Sequence, residues 1–427
     1  MQLTCPHCWQ VFATDRILWV SESPDLLGDS RLGEAAQKRF LPVKFNATAQ
    51  AIDADGFACH RLACPNCHLE IPRPFLEMPP FFVSIVGAPA AGKSYFLTSM
   101  AWQLRKIMPK YFHFSFTDAD PEMNLRLQQY ESQQFLPGEL DKIVTIEKTE
   151  VYGDNYNTVL LKGQQVAFPQ PFAFTLVPAK SHPRQGQSAK ISRLLCLYDN
   201  AGESYLPGED SAVRPVTRHL GLSDAIFFLF DPTQDARFRS ACQGRASDPQ
   251  MIGGAGSISD RIRRSPVRQE SILAEMAKRV RSHRGFGIHE QQQPPLIIVM
   301  TKADAWSFLL ERPFPVSVYR KVSDSELYAM KFSKIEETSV TVRNMMQRLI
   351  PEIVSAADQL SDDVTYIPVS ATGCPPSVDP ASGVLGFRPR DIKPIQIEAP
   401  LLCALAKLTR SIVPAVVKKE NKVPFTI

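Results

Sequence analysis

The sequence has no long apolar run, no strong charge imbalance and no convincing internal repeat, and each absence removes a class of protein. No stretch approaches the roughly 18 to 20 uninterrupted apolar residues that a membrane-spanning helix needs, so no membrane partner is expected. The opening residues MQLTCPHCWQ lack the charged and then apolar blocks of a secretory leader, which makes the cytoplasm the expected location. A formal net charge of +4 over 427 residues is too small to imply nucleic acid, because a binding footprint concentrates basic residues on one surface. No RNA-binding aromatic pattern supports such a role either. Nine cysteines are an odd number, and four of them form two CxxC pairs, which in a reducing compartment point to metal instead of disulfides.

What is present divides the chain into a cysteine-bearing start, residues 1–75, a large unit at 80–415 and a tail at 416–427. Between the first two, LEIPRPFLEMPP (69–80) carries four prolines, which disfavour helix and suit an extended linker. Five short apolar runs follow: FFVSIV (81–86), LLCLY (194–198), AIFFLF (225–230), LIIVM (296–300) and TYIPV (365–369). Runs apolar on both faces suit strands buried between helices, the pattern of a mainly parallel α/β sheet. Helical patterns are expected at about 94–107, 269–283, 324–358 and 397–412. Residues 236–268 read as an irregular insertion with seven arginines, for which a solvated surface loop is the simplest reading.

Cys5-Pro-His-Cys8 and Cys64-Pro-Asn-Cys67 each aim two thiolates at one point, and together they complete a four-cysteine zinc site. Four protein ligands leave no open position for water, so such a zinc is structural. The 55 residues between Cys8 and Cys64 exceed a minimal zinc ribbon and imply an inserted β-hairpin elaboration. A redox pair, or four unrelated buried thiols, is the rival reading.

GAPAAGKS (87–94) follows FFVSIV without a break and precedes a helical pattern. Gly87, Gly92, Lys93 and Ser94 satisfy GxxxxGK[ST], in which backbone N–H groups, here from Ala90, Ala91, Gly92 and Tyr95 as well, cradle phosphates. Lys93 reaches the β- and γ-phosphates and the Ser94 hydroxyl ligates magnesium. At the end of LLCLY stands DNAGE (199–203): Asp199 holds magnesium through water and the Gly202 N–H senses a γ-phosphate. At the end of LIIVM stands TKAD, Thr301 to Asp304. The Asp304 carboxylate can accept from guanine N1–H and the 2-amino group together, while the Lys302 stem lies over the ring. In SAT (370–372), Ser370 opens the loop and the Ala371 N–H can donate to guanine O6. Adenine reverses the donor and acceptor at that edge. Each element falls at the carboxyl end of its strand, where open α/β sheets bind ligands.

Phosphate loop, DxxG, [NT]KxD and SA in this order resemble the Ras-like P-loop GTPases of the translation-factor-related class, over roughly residues 80–415. The fused zinc ribbon, the long insertions and the phosphate-loop proline resemble bacterial double-GTPase families of prokaryotic conflict systems. The resemblance implies a P-loop NTPase sheet flanked by helices, GTP or GDP with magnesium, and a switch that orders and releases segments with the γ-phosphate. Glu203 stands where such enzymes usually carry a water-orienting glutamine, so hydrolysis is expected to be slow, altered or partner-dependent. Pro89 and Ala90 crowd the loop against a catalytic residue entering from a partner. Thr145 is the best candidate for the γ-phosphate-sensing threonine, with Thr149 and Thr158 as competitors. The expected activity is a GTP-hydrolysing switch acting on a protein partner through the ribbon. A GTP-bound scaffold with little hydrolysis and an ATP-using P-loop enzyme remain as rivals, and oligomeric state is left open.

Overall fold

The structure, a computed structural model, describes residues 2–146, 156–199, 217–252, 268–284, 293–315, 317–323, 325–379, 383 and 385–416. Its main elements in chain order are β1 (Pro80–Gly87), α1 (Lys93–Ile107), β2 (Phe114–Asp118), α2 (Leu125–Phe135), β3 (Phe172–Pro178), β4 (Arg193–Asp199), β5 (Ala225–Phe230), α3 (Gln269–Arg284), β6 (Leu296–Met300), α4 (Phe332–Leu349), α5 (Pro351–Leu360), β7 (Val364–Pro368) and α6 (Ala399–Leu408).

The seven strands form one sheet in the order β2-β3-β4-β1-β5-β6-β7. From β4 to β7 every pairing is parallel. At the other edge β3 runs antiparallel to β4, and β2 antiparallel to β3. All five apolar runs therefore become neighbouring parallel strands, and the antiparallel edge is contributed by FAFTLV and its partner. Because strand side chains alternate between faces, the residues of β1, β4, β5 and β6 sort into two sets. Val83, Ile85, Leu195, Leu197, Phe227 and Val299 pack with Phe96, Leu97 and Met100 of α1 and with α6. Ile226, Phe228, Ile298 and Met300 pack with Ile272, Met276 and Val280 of α3 and with α4 and α5.

One expected helix is two. The pattern at 324–358 begins with a short strand, Tyr328–Lys331, and is divided at Ile350, whose φ of −145° and ψ of 66° leave the helical region. Pro351 causes this, since the residue before a proline is pushed out of the α region while proline itself suits the first turn of the next helix. In the arginine-rich insertion, residues 236–242 and 249–252 are helical, and Arg237 pairs with Asp235 and Glu352 at the surface. Arg261, Arg263 and Arg264 lie outside the described residues.

The N-terminal unit is built on two equivalent turns. Cys5 N–H bonds Gln10 O and Trp9 N–H bonds Cys5 O; likewise Cys64 N–H bonds Leu69 O and His68 N–H bonds Cys64 O. Trp9 and His68, each following the last cysteine of its pair, both take positive φ, 57° and 63°. The inserted residues make two hairpins, Leu27–Asp29 with Gly33–Gln37 and Ala51–Ile52 with Ala58–Cys59, and supply three strands of a small four-stranded sheet whose fourth, Glu70–Ile71, follows the second cysteine pair.

The proline-rich stretch does not hold this unit at a distance. Glu70–Ile71 is a strand of the small sheet, Pro74–Glu77 is a helical turn with Phe75 buried, and Pro80 already belongs to β1. Phe82, Leu194, Cys196 and Tyr198 of the main sheet share one core with Cys5, Cys8, Trp9, Cys64 and Cys67. The cysteine-bearing unit thus covers the part of the sheet's second face that α3 to α5 leave open. An extended linker was the wrong expectation because hydrophobic burial at Phe75 and Ile71 outweighs the local stiffness of the prolines.

Candidate functional site

The carboxyl ends of the parallel strands converge on the phosphate loop. Gly87 ends β1 where a Cβ would stand 2.9 Å from Leu229 O of β5, so only glycine permits that approach. Gly92 takes φ +84°, with open space where a side chain would project, which leaves the cradle clear for a ligand. Ala90 also has positive φ, 60°, an uncommon conformation for a residue with a side chain. Lys93 begins α1, is buried, and its Nζ donates to Gly87 O and Ala88 O at 3.1 Å each. Ser94 lies in the first turn of the same helix.

Asp199 ends β4 beside the loop. Burial raises its carboxyl to about 6 against the pull of Lys93 and Arg126, and its Oδ1 finds no hydrogen-bond partner among the described residues. A buried acceptor left unpaired costs about 1–3 kcal/mol. A carboxylate kept in that condition beside the loop fits a cation site, and Ser94 and Asp199 are the residues that could hold the ion. Gly202 and Glu203, the rest of DxxG and its follower, lie outside the described residues.

Next to the loop is a cavity of about 170 Å³ whose walls include Gly92, Tyr95, Gln250, Lys302, Ala371 and Phe387. Lys302 takes φ +54° at the end of β6, and its ammonium is held by Asp231 Oδ2 (2.8 Å), Thr233 Oγ1 (3.0 Å) and Gln250 Oε1 (2.8 Å). With its head fixed there, its stem lines the cavity. Asp304 is half-buried and is not among the residues that line this cavity; its Oδ1 is shielded from solvent and has no partner among the described residues. Thr301 turns its hydroxyl to Phe230 O at 3.0 Å, and Ser370 Oγ accepts from Gly373 N–H at 2.7 Å. Both hydroxyls brace their loops, and both residues also line the cavity. Ala371 joins the wall directly, its carbonyl anchored by Ser99 Oγ of α1 at 2.8 Å. Thr301 and Lys302 of TKAD and all three residues of SAT thus line one cavity beside the phosphate loop.

The segment around Thr145 runs along the cavity wall. Val144 and Phe387 exchange two backbone hydrogen bonds, Val144 N–H to Phe387 O and the reverse, each at 2.9 Å. Ile146 N–H donates to Tyr95 Oη at 3.0 Å, and the Tyr95 and Phe387 rings meet edge to face at 5.3 Å. Thr145 is exposed on this strap, with its neighbours fastened to the wall of the cavity. Thr158 is exposed in the hairpin Tyr156–Leu161/Gln164–Pro169, and Thr149 lies outside the described residues. Gln250, Leu385 and Phe387 carry no sequence signal for this site; they come from a short helical turn, a two-residue strand and the residue after it, whose approach to the cavity no local motif encodes.

The four thiols of Cys5, Cys8, Cys64 and Cys67 all lie within 4.8 Å of one another. The Cys5–Cys67 and Cys8–Cys64 sulfur separations are 3.8 and 3.7 Å, close to the edge of a tetrahedron built on Zn–S bonds of about 2.3 Å. Backbone N–H groups of His7, Cys8 and Asn66 point at Cys5 and Cys64 sulfurs, and Asn66 Nδ2 points at Cys8 Sγ. Donors aimed at sulfur favour thiolates, and burial together with the other three thiols pushes Cys5 well above its ordinary range. The set therefore suits a bound cation. Cys59 stays apart, its thiol near Asp53.

No family model matches the chain. SaeC of Mycolicibacterium smegmatis, provisionally described as an ESX-1 scaffolding and assembly protein, is 26% identical over 194 residues, 45% of this chain and 43% of that protein. The chain thus spans less than half the length of this curated relative. Among solved structures, the signal recognition particle receptor SRb-GTP/SRX complex from Chaetomium thermophilum is 12% identical, with 70% of this chain and 95% of that chain covered at a TM-score of 0.25. Elongation factor SelB from Methanococcus maripaludis with a GTP analogue is 10% identical, covering 69% and 30% at 0.20. The G domain of the T. maritima FeoB iron transporter is 10% identical, covering 68% and 87% at 0.21. Among the described residues no helix is long and apolar enough to cross a membrane.

Proposed function

We propose that this chain is a GTP-binding switch with magnesium-dependent GTP hydrolysis, carrying a structural zinc in its N-terminal unit. The observation that carries the reading is the pair of unpartnered, buried carboxylate oxygens, Asp199 Oδ1 and Asp304 Oδ1, associated with the phosphate-loop motif and the TKAD motif. Lys93 and the N–H groups of the loop bind phosphates, Ser94 and Asp199 hold the magnesium, and Asp304 selects a base with two adjacent donors. Magnesium supplies charge neutralisation between the β- and γ-phosphates. Lys302 supplies an apolar stem for the base, positioned because its ammonium is tied to Asp231. Cys5, Cys8, Cys64 and Cys67 hold the zinc, with no position left for substrate. A protein is the partner this reading favours.

The hydrolytic part of the reading turns on Glu203, which accepts hydrogen bonds when ionised and cannot donate as glutamine does. That substitution also favours a second reading, a GTP-bound scaffold that turns over slowly, and the partial similarity to a protein described as a scaffold is consistent with it. Displacement of a fluorescent guanine nucleotide by GTP but not by ATP tests the binding claim. A single-turnover assay of bound GTP then separates the two readings; a half-life unchanged by magnesium or by Glu203→Ala contradicts hydrolysis by this site.

A further inference from the structure

The four-cysteine centre and the candidate magnesium ligand are separated by one strand residue. On β4, Leu195 and Leu197 face the core beneath α1, whereas Leu194, Cys196 and Tyr198 face the N-terminal unit. Asp199 follows Tyr198 directly and turns the other way, as strand alternation requires. Tyr198 is fully buried. Its hydroxyl donates to Pro6 O at 2.7 Å and accepts from Trp9 Nε1 at 3.3 Å. Pro6 lies between the ligands Cys5 and Cys8, and Trp9 follows Cys8, so both partners of the hydroxyl belong to the first cysteine turn. Their positions depend on the geometry that the four sulfurs adopt.

The contact continues beyond Tyr198. Its ring stacks on His219, with centroids 4.7 Å apart and planes 11° from parallel. His219 Nδ1 shares a hydrogen bond of 2.5 Å with Ser84 Oγ on β1, the strand that delivers the phosphate loop. All these groups are buried. The first cysteine turn is therefore joined by packed aromatic and hydrogen-bonded contacts to β4, which ends in Asp199, and to β1, which delivers the phosphate loop. Close-packed interiors pass on displacements because there is little free volume to absorb them.

We propose that Tyr198 is a positioning residue that sets Asp199 from the four-cysteine centre, so that metal at the cysteines and magnesium nucleotide at the phosphate loop change each other's affinity. This rests on the GTP-binding reading above. Linkage is reciprocal: whatever factor zinc contributes to nucleotide affinity, nucleotide contributes to zinc affinity. A coupling of ordinary size is on the order of fivefold to a hundredfold. Tyr198→Phe keeps the ring, its stacking on His219 and the core volume, and deletes only the hydroxyl that reads the cysteine turn.

The test measures zinc affinity of the full chain by competition with a chromogenic chelator, without nucleotide, with magnesium GDP and with a non-hydrolysable magnesium GTP analogue. Nucleotide occupancy is read in the same samples by a fluorescent analogue. The parent is expected to bind zinc at least about fivefold more tightly in one nucleotide-loaded state than when empty. In Tyr198→Phe that ratio is expected to fall toward one while zinc and nucleotide both still bind, a result that a merely structural role would not produce. Trp9→Phe, which deletes only the indole donor among the polar contacts, serves as the second variant if Tyr198→Phe does not fold, and is expected to lower the ratio. Equal zinc affinity in all three states of the parent, or variants that keep the full ratio, overturns the proposal. A parent that shows no nucleotide occupancy overturns the GTP reading itself, and this coupling with it.

Discussion

Tyr198 and His219 lie nearly parallel with ring centroids 4.7 Å apart, fully buried between the first cysteine turn and β1. The pair holds the strand end that carries Asp199, and His219 also occupies Ser84 Oγ. His219→Ala removes a stacked ring and leaves a buried hydroxyl without that partner. That hydroxyl keeps Ser223 Oγ as a partner, so the expected cost is mainly that of the cavity, about 3–5 kcal/mol. A fall in the urea midpoint of nucleotide-free protein with an unchanged slope shows it; a midpoint within error of the parent means that the contact contributes nothing.

Asp199 sets a pH dependence whose direction follows from its buried state. Its carboxyl is raised from 3.8 to about 6, so folding favours the protonated form. The group weakens the nucleotide-free protein as pH rises from about 4 to about 6, and the full penalty, on the order of 3 kcal/mol at most, persists above that. Asp199→Asn is therefore expected to raise the melting temperature of nucleotide-free protein at pH 7.5, with the gain shrinking toward pH 4. The same variant should lose magnesium-dependent tightening of nucleotide binding. A stability gain that grows as pH falls has the wrong sign for this account.

Zinc is expected at one equivalent per chain by metal analysis. Cys64→Ser should abolish it and open residues 1–75 to protease, since small metal-bound units fold with their metal. Because Phe82 and Tyr198 share the cysteine core, nucleotide affinity should fall as well. Unchanged nucleotide affinity in the metal-free variant would point to two units that merely touch.

Lys93→Ala removes the charge that now caps Gly87 O and Ala88 O. Triphosphate affinity should drop by more than tenfold, as truncating one member of a buried charged contact costs about 2–5 kcal/mol. Ser94→Ala should act through the magnesium requirement, read as a higher magnesium concentration for half-maximal binding. Two variants that bind like the parent remove the phosphate-loop assignment.

What could be read from sequence was local chemistry. Gly87, Lys93, Asp199, Asp304 and Ala371 stand out in the sequence because the proposed phosphate, metal and base contacts would demand fixed residue types at strand ends, and the two cysteine pairs because a metal would demand paired thiolates, four thiols that the structure does bring together. What could not be read depends on distant partners. Tyr198 meets Trp9 and Pro6 across 189 and 192 residues, and its apolar neighbours in LLCLY give no hint that one face meets a cysteine turn. Prolines at 72, 74, 79 and 80 describe local stiffness and say nothing of Phe75 burying itself between the units. The place of Thr145 before a strand gives no sign of the bridge that its neighbour Val144 makes to Phe387. The break at Pro351 was available in the sequence, since proline ends a helix at the residue before it.

The most direct test is competition of GTP, ATP and xanthosine triphosphate for the full chain and for Asp304→Asn. The Asp304 carboxylate offers two acceptors to two guanine donors, and losing that pair should cost about 2–5 kcal/mol, well over tenfold in affinity. The parent should prefer GTP strongly over ATP. The variant should lose GTP and gain xanthosine triphosphate, whose 2-oxo group accepts from the new amide while its N1–H donates to the amide oxygen. A parent that prefers ATP, or a variant that keeps full GTP affinity, would contradict the reading of this cavity as a guanine site.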